Sequence, residues 1–121
     1  MLAHFSPPVV YGGKDSFINN VPADATAFGH RDAFLVYQLY AFAPGSIPPF
    51  PSDGIPFVTK MAEALAPKPS GAYPNYIDPT LTQAEWPQQY FGAHVDKLNK
   101  IKGKFDRHNM FKFDQGFPSK P

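Results

Sequence analysis

The sequence predicts an α+β fold in which a small antiparallel sheet packs with two or three helices. Three observations support this class: residues 33–42 have the pattern of a strand, two later segments have helical periodicity, and 15 prolines keep the elements short. A chain of 121 residues fits one domain, so residues 1–121 are expected to form a single unit. Aromatic side chains make up 16% of the residues and supply much of its buried area.

The first half of the chain is expected to be mostly extended. Residues 9–18 contain Gly12 and Gly13, which predict two short extended pieces hinged at the glycines. Residues 33–42 (AFLVYQLYAF) are apolar on both alternating faces, so this strand should be covered on both sides. Residues 43–56 contain five prolines, and this density predicts an ordered loop or a mobile lid.

A helix and a second strand are expected next. Asp53 can cap a helix that runs to about Ala66, because apolar residues recur at helical spacing and Pro67 then ends the pattern. Residues 71–76 have the composition of a short strand.

The last third is expected to be helical. Thr82 and Glu85 have the spacing of a capping box at a helix start. Residues 93–105 place four apolar side chains on one side and three lysines on the other, which predicts a half-buried helix. Asp96 and Lys100 are spaced to form an ion pair on its solvated side.

Composition limits the classes of partner. The net charge is +1 and charged residues are 17% of the chain, so neither a nucleic-acid partner nor an anionic membrane partner is expected. The absence of cysteine excludes disulfides, thiolate nucleophiles and cysteine-ligated metals. The first residues lack a signal-peptide pattern and no stretch approaches about 20 apolar residues, so we expect a soluble, cytoplasmic protein.

Three segments then carry a resemblance to a known family. They are residues 26–32 (TAFGHRD) followed by residues 37–40 (YQLY), residues 71–78 (GAYPNYID), and the pattern from Trp86 to Gln115. In order and spacing they are similar to the end of the berberine bridge enzyme-like FAD-linked oxidoreductases. The resemblance covers about the last hundred residues and implies the fold of the C-terminal part of that family's substrate domain.

The resemblance also implies a substrate pocket beside a flavin ring. The position of Tyr76 acts as a base in some family members, and a tyrosine needs a neighbouring cation for this role because its usual pKa is about 10. His30 or Arg31 could supply that cation, so these three are the candidate catalytic residues. The candidate substrate-binding residues are Val36, Gln38, Tyr40, Asn75, Tyr73 and Trp86. Each also has a structural interpretation: His30 and Arg31 can close a turn, and Tyr73 and Trp86 can be packing residues.

Departures from the family pattern argue against flavin binding by this chain alone. The family's large N-terminal flavin domain has no counterpart here, and Gly12 and Gly13 lack the spacing of a phosphate-binding loop. Gly29 replaces the family's proline, and further departures fall at residues 93–94, at Arg107 and at residues 115–117. We therefore expect no cofactor, with FAD bound only if a partner domain is supplied, and we infer drift after the loss of flavin contacts.

Four functions remain to be compared. The leading expectation is a cofactor-independent cyclase or isomerase, of pericyclase or dehydratase type, that folds a polyketide, terpenoid or alkaloid in fungal natural-product biosynthesis. The alternatives are a fragment or subunit of an FAD-dependent oxidoreductase and a non-catalytic binding domain. A metal enzyme fails on spacing, because His4, His30, His94 and His108 form no ligand cluster in the sequence. A homodimer is expected, since a domain without its neighbour exposes apolar surface.

Overall fold

A computed structural model of the chain describes residues 2–5, 8–42, 45 and 47–118. Its strands and helices are short. The strands are β1 (Leu2–Phe5), β2 (Val9–Val10), β3 (Leu35–Val36) and β4 (Leu39–Phe42). The α-helices are α1 (Gly54–Leu65), α2 (Trp86–Phe91) and α3 (Val95–Phe105), and 3-10 helices lie at Phe17–Asn20 and Gly92–His94.

The four strands form two separate antiparallel pairs. β1 pairs with β4, so that Leu2 lies opposite Phe42, and β2 pairs with β3, so that Val9 lies opposite Val36. The predicted α+β class is confirmed, but the single strand expected over residues 33–42 is wrong. It is divided at Tyr37 and Gln38, because its two halves pair with different partner strands.

Two other expected extended pieces are also absent from the described structure. Residues 71–76 form no strand; the segment ends in a turn in which the Tyr76 N–H donates to the Tyr73 carbonyl at 3.0 Å. Pro74 lies in this turn and has no N–H to offer to a sheet. The second piece predicted within residues 9–18 also fails, because the chain enters a 3-10 helix at Phe17.

The helix predicted after Asp53 is confirmed, with α1 beginning at Gly54 and Ala66 following its last residue. Pro56 lies in its first turn, where a missing N–H costs no helical hydrogen bond. The loop predicted over residues 43–56 therefore ends earlier than expected, because its last three residues belong to α1. Residues 43, 44 and 46 of this loop lie outside the described residues. No helix in the described part of the chain is both long and apolar enough to cross a membrane.

The capping box predicted at Thr82 and Glu85 is only half formed, because α2 begins at Trp86 and no described side chain caps its first N–H groups. The Glu85 carboxylate accepts from the Thr82 hydroxyl at 2.7 Å and from its N–H at 3.0 Å, and these hydrogen bonds lower the pKa of Glu85. The last predicted helix is confirmed as α3, preceded by the 3-10 turn at Gly92–His94. The ion pair recorded there joins Lys102 to Asp106 instead of Asp96 to Lys100.

The core of the described structure lies around α2. Trp86 and Tyr90 are its buried apolar residues, at 1% and 2% exposure. The Phe117 ring lies 5.1 Å from that of Trp86 and 5.5 Å from that of Phe91, so the C-terminal tail closes over the helix. Gln115 in this tail is the buried polar residue of the same region.

Candidate functional site

The segment of residues 71–78 is fixed to α2 at both of its ends. The Ala72 N–H donates to the Gln89 carbonyl at 2.8 Å, and the Asp78 N–H donates to the Tyr90 hydroxyl at 2.8 Å. The turn between these two anchors carries Tyr73, Asn75 and Tyr76. Three candidate site residues are therefore displayed by one short, doubly anchored segment, hereafter the site turn.

The aromatic side chains of the site turn pack on each other. The rings of Tyr73 and Tyr76 meet edge to face with centroids 5.2 Å apart, and the Asn75 amide donates to the Tyr73 hydroxyl at 2.8 Å. Phe28, from the segment before β3, meets Tyr73 edge to face at 6.4 Å. Tyr76 remains 49% exposed, so about half of the residue is accessible to solvent.

A cleft of about 400 Å³ opens beside this turn. Tyr11, Phe28 and Tyr73 form its aromatic walls, and Arg31 and Asn75 supply its polar groups. This volume is at the lower end of the range of small-molecule sites in proteins, which runs from about 300 to 1,000 Å³. Aromatic walls with a few polar groups suit the apolar faces and hydroxyl edges of a small organic ligand.

Arg31 lies in this cleft against Phe28. Its guanidinium carbon is 5.2 Å from the Phe28 ring centroid, a cation–π distance, and Nη2 donates to the Thr26 hydroxyl at 2.6 Å. Its Nε is buried and has no hydrogen-bond partner among the described residues. No ion pair of Arg31 with Asp24 or Asp32 is recorded in the described part of the chain, so the cleft keeps an uncompensated positive charge.

His30 ties the segment before β3 to α2. Its Nε2 lies 3.1 Å from the Tyr90 carbonyl oxygen, and a carbonyl can only accept, so Nε2 carries the proton in this contact. The imidazole occupies the space beside Gly71, where a Cβ atom would lie 2.1 Å from the ring. Glycine is thus required at residue 71 for the close approach of the ring.

No described contact joins Tyr76 directly to either candidate cation. The recorded contacts lead from Arg31 to Phe28, from Phe28 to Tyr73, and from Tyr73 to Tyr76. The catalytic assignment of His30 and Arg31 therefore stays a prediction. In the described structure His30 ties the segment before β3 to α2, and Arg31 lines the cleft.

The other sequence-predicted residues lie away from this cleft. Val36 ends β3, Gln38 lies half-buried between β3 and β4, and Tyr40 in β4 stacks on Phe42 at 6.3 Å. Trp86 is in the core, where its Nε1 donates to Gln83 at 3.0 Å. These four residues do not line the cleft, and their substrate-binding roles stay predictions. Tyr76 and His30 do not line it either.

Two departures from the family pattern meet in a second cavity, of about 260 Å³. His94 Nε2 lies 2.9 Å from the Ala23 carbonyl oxygen, and its ring covers Gly29, where a Cβ atom would come within 3.1 Å. His30 and Gln88 also line this cavity. Glycine at residue 29 thus leaves room for the imidazole of His94.

Phe28, Tyr90 and Gln115 were not predicted as site residues. Phe28 contacts Tyr11, His30, Arg31 and Tyr73, and this central place could have been suspected only from an aromatic residue beside the His-Arg pair. Tyr90 and Gln115 lie far apart in sequence, and no local pattern joins them.

The described residues do not fit a whole FAD molecule. The cleft supplies aromatic faces and one amide, but it is open on one side, and the described chain has no glycine-rich turn to cradle a pyrophosphate. No group of three or more His, Cys, Asp or Glu side chains in the described residues could hold a metal ion. The described residues therefore do not enclose such a cofactor.

Comparison with known proteins gives consistent matches. Residues 72–118 match the protein family described as "Berberine and berberine like". The chain is 33% identical over 108 residues to the glucooligosaccharide oxidase of Sarocladium strictum and 33% identical over 110 residues to the xylooligosaccharide oxidase of Thermothelomyces thermophilus. The aligned regions cover 84% and 88% of this chain and 22% of each relative, so the chain spans about a fifth of their length.

Superposition on a solved structure agrees with these sequence matches. The chain superposes on a chitooligosaccharide oxidase with a TM-score of 0.76 and 26% sequence identity. The superposition covers 94% of this chain and 25% of the oxidase.

Proposed function

We propose that this chain, whose residues 72–118 belong to the berberine and berberine-like family, supplies one side of the active site of an FAD-linked oligosaccharide oxidase. One observation carries the proposal: nearly the whole chain superposes on one quarter of a chitooligosaccharide oxidase. A chain with the shape of a quarter of an enzyme needs the remaining three quarters, in the same polypeptide or in another, to hold the flavin.

The surface of the chain supports this interpretation. Large apolar side chains at the end of α3 and after it are exposed, with Met110 at 80% and Phe111 at 81%. The backbone that presents them is held in place, since the Asp106 carboxylate accepts from the N–H groups of both residues, at 2.7 and 3.1 Å. An ordered loop with outward apolar side chains is typical of a contact surface. We call Phe105, Met110, Phe111 and Phe113 the apolar ledge.

Within such an enzyme, this chain's part would be to bind, orient and move a proton. The aromatic walls of the cleft suit the apolar faces of a sugar ring, and the Asn75 amide and Arg31 offer hydrogen bonds to its hydroxyls. Tyr76 would accept the proton of the hydroxyl that is oxidised. A positive group beside the Tyr76 hydroxyl would come from the rest of the enzyme, because no described contact joins Tyr76 to His30 or Arg31.

Other expectations from the sequence concern the reaction and the partners. The named relatives are oxidases, and nothing in the comparisons supports the cofactor-independent cyclase or a fungal natural-product setting. A second copy of this chain is the alternative occupant of the apolar ledge, so the homodimer stays a proposal that the solution mass can decide. A small-molecule substrate, without nucleic-acid or membrane partners, is likewise proposed.

A graft tests the proposed function. This chain would replace the matching fifth of the Sarocladium strictum glucooligosaccharide oxidase, and hydrogen peroxide release would be measured with gluco-, xylo- and chitooligosaccharides. We expect a flavin-loaded graft that oxidises at least one of them, and a Tyr76→Phe graft with the same flavin content and a turnover lower by about a hundredfold, within the range of lost acid–base catalysis. A folded, flavin-loaded graft with no turnover would contradict the proposal.

A further inference from the structure

We infer that the side chains of Tyr90 and Gln115 form a buried clasp that holds the site turn, and with it Tyr76, in place. They are positioning residues, because they act on Tyr76 through the backbone and touch no substrate. The importance of the clasp for catalysis rests on the proposed function, while its geometry does not.

The clasp closes around one residue of the site turn. The Tyr90 hydroxyl accepts from the Asp78 N–H at 2.8 Å and donates to the Gln115 Oε1 at 3.0 Å. The Gln115 Nε2 donates to the Asp78 carbonyl at 2.7 Å and to the Leu81 carbonyl at 3.3 Å. Both the N–H and the carbonyl of Asp78 are therefore held by two side chains that are bonded to each other.

Burial makes this arrangement specific. Gln115 is 9% exposed and Tyr90 is 2% exposed, so neither polar group can exchange its partner for water without leaving the core. The amide can bind in one orientation only, because the reverse would place its carbonyl oxygen against the carbonyls of Asp78 and Leu81. A satisfied buried network of this kind favours one backbone position over its neighbours.

The clasp acts on Tyr76 because Tyr76 lies two residues before Asp78, the residue that the clasp holds. The other end of the site turn is fixed by the Ala72 bond to α2, and the Tyr76 N–H is bonded to Tyr73 within the turn. The Tyr76 side chain itself is half exposed, and its recorded ring contact in the described residues is with Tyr73. The position of its hydroxyl is thus set mainly by the backbone that the clasp holds.

Gln115 brings the C-terminal tail into the site. The tail is seated independently of the clasp, because Phe117 packs on Trp86 and the Gln83 side chain donates to the Asp114 carbonyl. Gln83 is therefore a matched control: it is a glutamine that binds the same tail and makes no recorded bond to the site turn.

The first test uses the 121-residue chain as it stands. We would compare Tyr90→Phe, Gln115→Met and Gln83→Met by amide hydrogen exchange at Asp78 and by the NMR cross-peak between the Tyr73 and Tyr76 rings. We expect exchange at Asp78 to be about tenfold faster in Tyr90→Phe, which removes the acceptor of the Asp78 N–H. It should also be faster in Gln115→Met, which removes the bonds to the Tyr90 hydroxyl and to the Asp78 carbonyl, and the ring cross-peak should weaken in both variants. Gln83→Met should leave both unchanged.

The second test uses the grafted oxidase. In the clasp variants kcat should fall by about tenfold with KM within about twofold, because a misplaced proton acceptor affects the reacting state more than binding. Gln83→Met should keep the kcat of the unmodified graft, even when its melting temperature falls as far as that of the clasp variants.

Two results would overturn the inference. One is unchanged Asp78 exchange in a folded Tyr90→Phe chain, and the other is an equal fall of kcat in Gln83→Met and the clasp variants. A graft without activity would count against the proposed function alone, because the exchange measurement on the isolated chain still decides the clasp.

Discussion

The replacement Gly71→Ala tests the contact between Gly71, at the start of the site turn, and the ring of His30, in the segment before β3. The new Cβ would lie 2.1 Å from His30 Cε1 and 2.6 Å from Nδ1, well inside contact distance. Reaching an ordinary contact of 3.4 Å requires the ring to move by about 1.3 Å. A shift of that size breaks the 3.1 Å bond from Nε2 to the Tyr90 carbonyl.

The cost follows from the lost bond. Leaving a buried polar group without its partner costs about 1–3 kcal/mol. For a domain of this size that loss corresponds to a melting temperature lower by roughly 4–12 °C.

Circular dichroism during heating measures this, with Gly103→Ala as the matched control. Gly103 lies in α3 with no atom within 4 Å of the position that an alanine methyl group would take, and alanine is favoured over glycine in a helix by about 0.8–1 kcal/mol. The control should therefore melt slightly higher than the native chain. In a His30→Ala background, Gly71→Ala should cost less than about 0.5 kcal/mol, because the obstructing ring is gone. Equal melting temperatures for Gly71→Ala and Gly103→Ala would show that the His30 ring is not held against Gly71.

Three further predictions concern other parts of the molecule. The hydrogen bond from Lys102, followed by those from two backbone N–H groups, lowers the pKa of Asp106. The ionised Asp106 carboxylate therefore stabilises the fold above about pH 4, and this stabilisation is lost as the pH falls through the lowered pKa. Asp106→Asn should therefore weaken the loss of stability on acidification, measured by urea unfolding at several pH values; an unchanged acid dependence would count against it. If Gln38 binds substrate as the resemblance implies, Gln38→Ala should raise the KM of the graft by roughly threefold to tenfold. Its melting temperature should change little, because the described structure records no hydrogen bond that holds the amide; a lower melting temperature at constant KM would show a structural amide instead. Phe111→Asp should change the stability of the isolated chain by less than about 0.5 kcal/mol yet prevent folding of the graft, whereas Lys112→Asp should do neither; a normally folded Phe111→Asp graft would remove the apolar ledge from the proposed interface.

Local patterns predicted the helices well. The periodicity after Asp53 and over residues 93–105 is carried by neighbouring residues, and α1 and α3 follow it closely. The strand over residues 33–42 could not be predicted correctly in the same way, because its division depends on two distant partner strands. Residues 71–76 were misjudged because apolar and aromatic residues suit a turn that packs on a helix as well as a strand.

The site was predicted only in part. The family motif located Tyr73, Asn75 and Tyr76, and the structure places them on one doubly anchored turn near Arg31. The contacts that hold the turn were beyond the sequence, since Gln115 reaches Asp78 across 37 residues and His30 reaches Tyr90 across 60. Such pairings follow from tertiary packing, which no local periodicity encodes.

A decisive measurement is the amount of FAD that the protein retains after dialysis, for the isolated chain and for the grafted oxidase. We predict no retained flavin in the isolated chain, whose cleft is proposed to border the cofactor without enclosing it, and about one flavin per molecule in the graft. Stoichiometric FAD on the isolated chain would contradict the claim that this chain forms only one side of the site.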